Sequence, residues 1–198
     1  MKKLFFAMAA MAALLTSCSK DDAFGGLSHG KVTFEVSTPE LATRANEGEG
    51  LQATKLLYAV YDVIENDKCV KTGEETLDNL KATVTIDLVE GRKYEVAFWA
   101  ESPSSPYDFD EDSKTISYKA NNTLTANNEA YDAFFAYVPE GDVKVGQVVN
   151  VTLKRPFAQL NVATNDTQTA SDLGVTVAKT GVKVNAYTSL NLETGYLY

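Results

Sequence analysis

Along residues 31–37 apolar and polar side chains alternate: Val32, Phe34 and Val36 share one side, and Thr33, Glu35 and Ser37 the other. A period of two is what a strand with one buried face requires. The cleanest alternation runs from Lys81 to Leu88, with Ala82, Val84, Ile86 and Leu88 pointing one way and Lys81, Thr83, Thr85 and Asp87 the other. After it, Glu90-Gly91-Arg92 reads as the turn of a hairpin that returns through Lys93 to Ala100. Phe98 and Trp99 fall on opposite faces of that returning strand, so at least one lines the core and the second face is expected under a loop. Lys55 to Val63 is apolar on both faces and is predicted to be a central strand.

Weaker signals fill the rest. Thr115 to Tyr118, Tyr131 to Val138 and Gln147 to Leu153 are predicted strands; Lys154-Arg155-Pro156 interrupts the last, and Ala158 to Ala163 resumes it. Val175–Val177 and Val182–Asn185 are short strand candidates, Thr169–Leu173 a helical turn, and Glu193-Thr194-Gly195 a tight turn. Ser102-Pro103-Ser104-Ser105-Pro106 cannot be interior strand. Residues 39–53 have Pro39, Gly48 and Gly50 and no apolar period, which makes a loop long for a compact domain. Seven to ten short strands without a helix of ordinary length predict an all-β fold, a two-sheet β-sandwich over residues 31–198.

The start of the chain is different in kind. Lys2 and Lys3 precede an unbroken apolar run from Leu4 to Leu15. A bilayer span needs about 20 such residues, whereas this length suits a secretory leader. Residues 1–17 are therefore read as a signal peptide. Leu15-Thr16-Ser17-Cys18 matches a bacterial lipobox, in which small residues admit the peptidase and a thiol takes the lipid as a thioether. Cys18 is then the acylated, palmitate-bearing first residue of a lipidated tether, residues 18–30. The bland alternative is a stray Cys after a cleaved leader. Ser19-Lys20-Asp21-Asp22 looks like a surface-export signal of Bacteroidota lipoproteins, against which stands a merely soluble tether.

Charge and side-chain chemistry narrow the function. A net charge of −9 is wrong for a general nucleic-acid binder. One His and two Cys cannot build a His/Cys zinc site unaided. With Cys18 lipidated, Cys69 is the one thiol of the folded part; a Cys-His pair with His29, in the Gly-rich tether, is weighed against a half-buried structural thiol, and the latter is preferred. Asp108, Asp110 and Asp112 alternate as in a calcium loop, but Ser113 and Lys119 stand where Gly and Glu belong, so a solvated acidic loop is the better reading. No Gly-rich phosphate loop, Ser elbow or HExxH run is present, and neither an enzyme nor a cofactor is expected.

Leu153-Lys154-Arg155-Pro156-Phe157-Ala158-Gln159-Leu160-Asn161-Val162, with Thr43-Arg44-Ala45, Tyr131-Asp132-Ala133-Phe134-Phe135 and Asn191-Leu192-Glu193-Thr194-Gly195, resembles the fimbrillins and fimbrillin-like lipoproteins of Bacteroidales. Arg155, Pro156 and Ala158 carry the family-like Arg-Pro-x-Ala run. The resemblance implies a transthyretin-like first domain and a surface lipoprotein. It also implies cleavage by a trypsin-like protease after Arg44, before Ala45, that frees the first strand with Val32, Phe34 and Val36. A neighbour's strand then fills the groove. Polymerising members also have a second sandwich and a donor segment, whereas this sequence stops at Tyr198, which sets polymerisation by this chain alone against the resemblance. Arg44 is also the one basic residue of loop 39–53, and an ordinary exposed loop residue is its alternative reading.

Two functions follow as expectations. One is a structural or adhesive subunit of surface fimbriae, or a fimbrium-associated lipoprotein, at the cell outer membrane, partnered by membrane lipid through Cys18 and by other subunits or host or bacterial surface ligands. The alternative is a non-polymerising glycan- or protein-binding outer-membrane lipoprotein, for which Trp99, Tyr107, Phe109 and Tyr118 are the candidate ligand-facing aromatics.

Overall fold

The computed structural model describes residues 28–39, 50–120, 125, 128–158, 172–174 and 187–198. Ten strands lie in them: β1 (His29–Ser37), β2 (Lys55–Asp62), β3 (Lys68–Thr76), β4 (Lys81–Val89), β5 (Tyr94–Glu101), β6 (Tyr107–Asp110), β7 (Thr115–Tyr118), β8 (Ala133–Val138), β9 (Val148–Thr152) and β10 (Ser189–Asn191). They form three open sheets, ordered β4-β1-β9, β3-β2-β5-β8 and β10-β7-β6. The expected two-sheet sandwich is thus corrected to three layers.

The reason is the central four-stranded sheet, which is apolar on both faces. Leu56, Tyr58 and Val60 of β2 and Val96, Phe98 and Ala100 of β5 face one core, shared with Val32, Phe34 and Val36 of β1 and Val84, Ile86 and Leu88 of β4. Ala59, Tyr61, Ala97 and Trp99 face a second core, closed by Tyr107, Ile116, Leu190 and Leu192. The face under Trp99 is therefore covered by a sheet, not by a loop.

In the outer sheet β1 is the middle strand. It runs antiparallel to β4, pairing Phe34 with Val84, and parallel to β9, pairing Phe34 with Val149. Val32, Phe34 and Val36 are at most 1% exposed. His29 is the first residue of β1, so the strand starts two positions before Lys31 and His29 is exposed on it.

Glu90-Gly91-Arg92 does not close a hairpin. β4 pairs with β1, while β5 pairs with β2 and β8, so the turn carries the chain from one sheet to the other. Gly91 supplies a φ of 79° there, and Tyr94 reaches back to accept a hydrogen bond on its phenolic oxygen from the Val89 N–H at 3.2 Å. True pairing of neighbours occurs between β2 and β3, where Asn66 and Asp67 both take left-handed φ values of 59° and 55° at the turn.

Several expectations fall outside the described residues: the leader and Cys18, Arg44 and Ala45, the strand candidates 175–177 and 182–185, nearly all of the turn 169–173, and the part of the 153–162 motif after Ala158.

Candidate functional site

Trp99 lies on the second-core face of β5 and is 1% exposed. The ring of Tyr107, the first residue of β6, meets it edge to face, with centroids 5.3 Å apart and planes at 86°. Tyr107 also lies 5.5 Å from the Tyr118 ring and 6.1 Å from the Phe157 ring, each tilted by 31°. These rings wall a cleft of about 390 Å³, whose lining also includes Ile116, Tyr131, Pro156, Ala158, Leu190 and Leu197. The floor is buried, while Tyr118 and Tyr187 at the rim are 38% and 53% exposed.

Local chemistry holds this floor still. Tyr107 donates its O–H to the Tyr131 carbonyl at 2.6 Å. Burial pushes the Tyr107 phenol well above its ordinary range, so the hydroxyl remains a donor. Trp99 donates its indole N–H to Glu101 at 3.0 Å, two residues along the same strand. The same Glu101 oxygen accepts from the Ser105 hydroxyl at 2.6 Å, and the other oxygen pairs with the Lys55 ammonium at 2.6 Å. Ser105 sits in the Pro-flanked segment that the sequence marks as non-strand, and this bond gives that segment its place.

A second anchor is Arg155. Its guanidinium donates to Asp132 at 2.5 Å and lies 5.3 Å from the Phe134 ring centroid. Burial raises the Asp132 carboxyl and Arg155 opposes that shift. The next residues, Pro156, Phe157 and Ala158, are cleft wall. The motif that carries the family resemblance therefore also fixes one side of the cleft.

Opposite it, the β10 segment is fastened by Lys114, at the β6–β7 turn. Lys114 Nζ donates to Glu193 at 2.9 Å, Glu95 at 3.2 Å and Tyr137 at 2.9 Å, and Tyr137 in turn donates to Glu95. The ammonium also lies 4.8 Å from the Tyr61 ring centroid. Burial alone lowers its pKa, but the bonds to Glu193 and Glu95 outweigh that and hold it above the usual lysine range.

Of the four aromatics singled out in the sequence, Trp99, Tyr107 and Tyr118 share the cleft, whereas Phe109 packs beside the second core and is absent from the lining. Phe157, Tyr131 and Tyr187 complete the ring of aromatics without having been singled out as ligand-facing; Phe157 was visible only as part of the 153–162 motif. Asp110 accepts the backbone N–H groups of Asp112 and Ser113, which makes it a turn cap. Among the described residues no three His, Cys, Asp or Glu side chains gather as a metal set. Cys69 is half-buried against the second core, its thiol pushed up by burial, while His29 is exposed on another sheet.

No curated protein matches this chain. A crystal structure from Bacteroides thetaiotaomicron VPI-5482, provisionally described as polysaccharide binding proteins (DUF1812), is similar at 16% identity and a TM-score of 0.42, over 64% of this chain and 47% of that one. The chain thus spans about half the length of that structure. Residues 25–198 match DUF6562, a family of unknown function, and the chain belongs to that family.

Proposed function

We propose that this domain is a non-catalytic binding module that holds a sugar ring of a glycan in the aromatic cleft, displayed on the outer membrane through acylated Cys18. The observation that carries the reading is the convergence of Trp99, Tyr107, Tyr118 and Phe157 on one cleft from β5, β6, β7 and the segment after β9. A concave, mostly apolar site with a few fixed polar groups is what ligand recognition requires. Sugar rings have an apolar C–H face that packs on aromatic faces, and their hydroxyls find Ser117, Thr188 and Ser189 at the edge. Screening a panel of neutral oligosaccharides tests it. Wild type binds at least one of them, and Tyr118→Ala weakens that binding about tenfold, equivalent to ~1.4 kcal/mol. Equal binding by both proteins removes the cleft from the account. Fatty-acid labelling of wild type but not Cys18→Ala is expected for the anchor; equal labelling of both rejects it.

One observation favours a second reading, the fimbrial subunit. β1 is the middle strand of its sheet, with three core side chains. Loss of such a strand after a cut at Arg44 leaves an apolar slot with unpaired backbone on two sides, the setting for strand addition.

A further inference from the structure

We propose that β9 is a self-association edge: two copies of this chain pair β9 antiparallel about a two-fold axis at Asn150 and join their outer sheets into one. β9 pairs with β1 on one side, and among the described residues no strand pairs with its other side. The Thr33 N–H donates to the Gln147 carbonyl at 3.1 Å, and the Leu153 N–H donates to the Ser37 carbonyl at 2.8 Å. In a parallel ladder the odd-numbered residues of β9 therefore face β1, and the N–H and C=O groups of Val148, Asn150 and Thr152 point away from it. Residues 147–152 line an open cleft of about 470 Å³.

Sheet edges are kept from pairing with other chains by charge, bulges or cover. β3 carries Lys68, Lys71, Glu74 and Glu75, and its pairing with β2 skips Val70. β4 carries Lys81 and Asp87. β8 is covered where Phe135 exchanges backbone bonds with Lys154 at 2.9 Å and 2.8 Å. β9 has none of these devices. It is uncharged, three of its five residues are valine, and Val148 is 59% exposed.

Complementarity points to a second copy as the occupant. A chain of net charge −9 repels itself where its charges meet, and β9 is a neutral strip. The described lining of the cleft adds one charge of each sign, Asp142 and Lys144. The two-fold sets Val148 against the partner's Thr152 and Asn150 against the partner's Asn150. These are the residues with outward backbone groups, so each opposed pair exchanges two N–H···O=C bonds. Val148 and the partner's Thr152 make a β-branched pair on the solvent face, and Val149 meets the partner's Val151 on the core side. Strands this short bury less than about 1,000 Å², which makes the dimer reversible. No residue of β9 lines the aromatic cleft, so pairing leaves that cleft open in both copies.

Analytical ultracentrifugation tests the dimer on the mature chain, residues 18–198, made without its leader and with Cys18→Ser so that neither lipid nor disulfide drives association. A monomer–dimer equilibrium is expected between about 10 µM and 1 mM. Val148→Lys puts a charge on the exposed strip, and Asn150→Pro removes the central outward N–H, a change that an edge strand tolerates. Each is expected to raise the dimer Kd at least about tenfold, while Val70→Lys on β3 leaves it unchanged. Hydrogen exchange at the two ends of the range gives a second readout. Val149 and Val151 amides are expected to be protected at both, and those of Val148, Asn150 and Thr152 only at the high end. A monomer throughout, growth beyond the dimer, or dissociation by Val70→Lys and not by Val148→Lys overturns the proposal. Protection of Val148, Asn150 and Thr152 already at the low end, where the monomer dominates, overturns it as well.

Discussion

Phe98 and Trp99 are consecutive residues of β5 and belong to different cores. Phe98 meets Phe34 of β1 edge to face at 5.3 Å, and Trp99 meets Tyr107 of β6 at the same distance on the other side of the sheet. The central sheet is therefore a shared wall. One face fixes the outer sheet, and the other builds the cleft.

The register of β4 gives the most direct test of the first core. Val84 and Ile86 are 0% exposed, while Thr83 and Thr85 are exposed. Val84→Asp or Ile86→Asp buries an unpaired carboxylate and is expected to cost several kcal/mol, about 3–5. Thr83→Asp places a second carboxylate opposite Glu35 and is expected to cost only about 1 kcal/mol. Denaturant midpoints measure both, and equal sensitivity of the Thr and Val positions contradicts the register.

Lys114 ties β5, β8 and the β10 segment together, and its partners differ in burial. Glu95 is 15% exposed and Glu193 46% exposed. Lys114→Ala strands the Glu95 carboxylate and is expected to cost about 2–4 kcal/mol. Glu193→Gln leaves Lys114 its Glu95 and Tyr137 contacts and is expected to cost under about 1 kcal/mol. Thermal unfolding of the two variants checks the order; the reverse order contradicts the clamp.

Alkali probes the same packing. Burial raises the phenols of Tyr58, Tyr61, Tyr94, Tyr107, Tyr118 and Tyr137, six of the ten tyrosines. A group that holds its proton more tightly when folded contributes stability that is complete below the unfolded pKa, about 10 for tyrosine. That stability is lost as pH rises through the folded values, and Lys114, also raised, acts in the same direction. In an ultraviolet difference titration these six phenols are therefore expected to ionise late, in one cooperative step with unfolding. Smooth ionisation of all ten around pH 10 contradicts burial.

The fimbrial reading has its own test. Limited trypsin treatment is expected, on that reading, to cut after Arg44 before any site within residues 55–100, and the trimmed protein then takes up an extended strand or self-associates. Arg44→Ala abolishes both. A trimmed protein that stays monomeric by size-exclusion chromatography rejects strand exchange and leaves the binding module.

The strands that were legible in the sequence are those whose faces differ. In β1 and β4 every second residue is apolar because one face meets the core and the other water, and the alternation survives intact in the exposure pattern. β2 and β5 were legible as central from their continuous apolar runs, but continuity does not say what covers the second face. The cover proved to be three very short strands, β6, β7 and β10, brought together from residues 107 to 191. β3 carries no such alternation. It is an edge strand with polar side chains on both faces, so no period marks it. The Glu90-Gly91-Arg92 turn was legible as a turn but not as a sheet-to-sheet crossing, because a turn's residues set its local φ angles and not the partners of the strands it joins. Three of the cleft aromatics were visible as candidates. Glu101 was not, since nothing local distinguishes a carboxylate that will be buried beside an indole from one that will face water.

The cleft as a ligand site is the central claim, and Trp99, the single tryptophan, reports on it directly. Its fluorescence is to be followed while neutral oligosaccharides are added to wild type and to Tyr118→Ala. The account predicts a saturable change in Trp99 emission with at least one oligosaccharide, weakened about tenfold in Tyr118→Ala. Saturable binding seen by calorimetry that leaves Trp99 emission unchanged contradicts it.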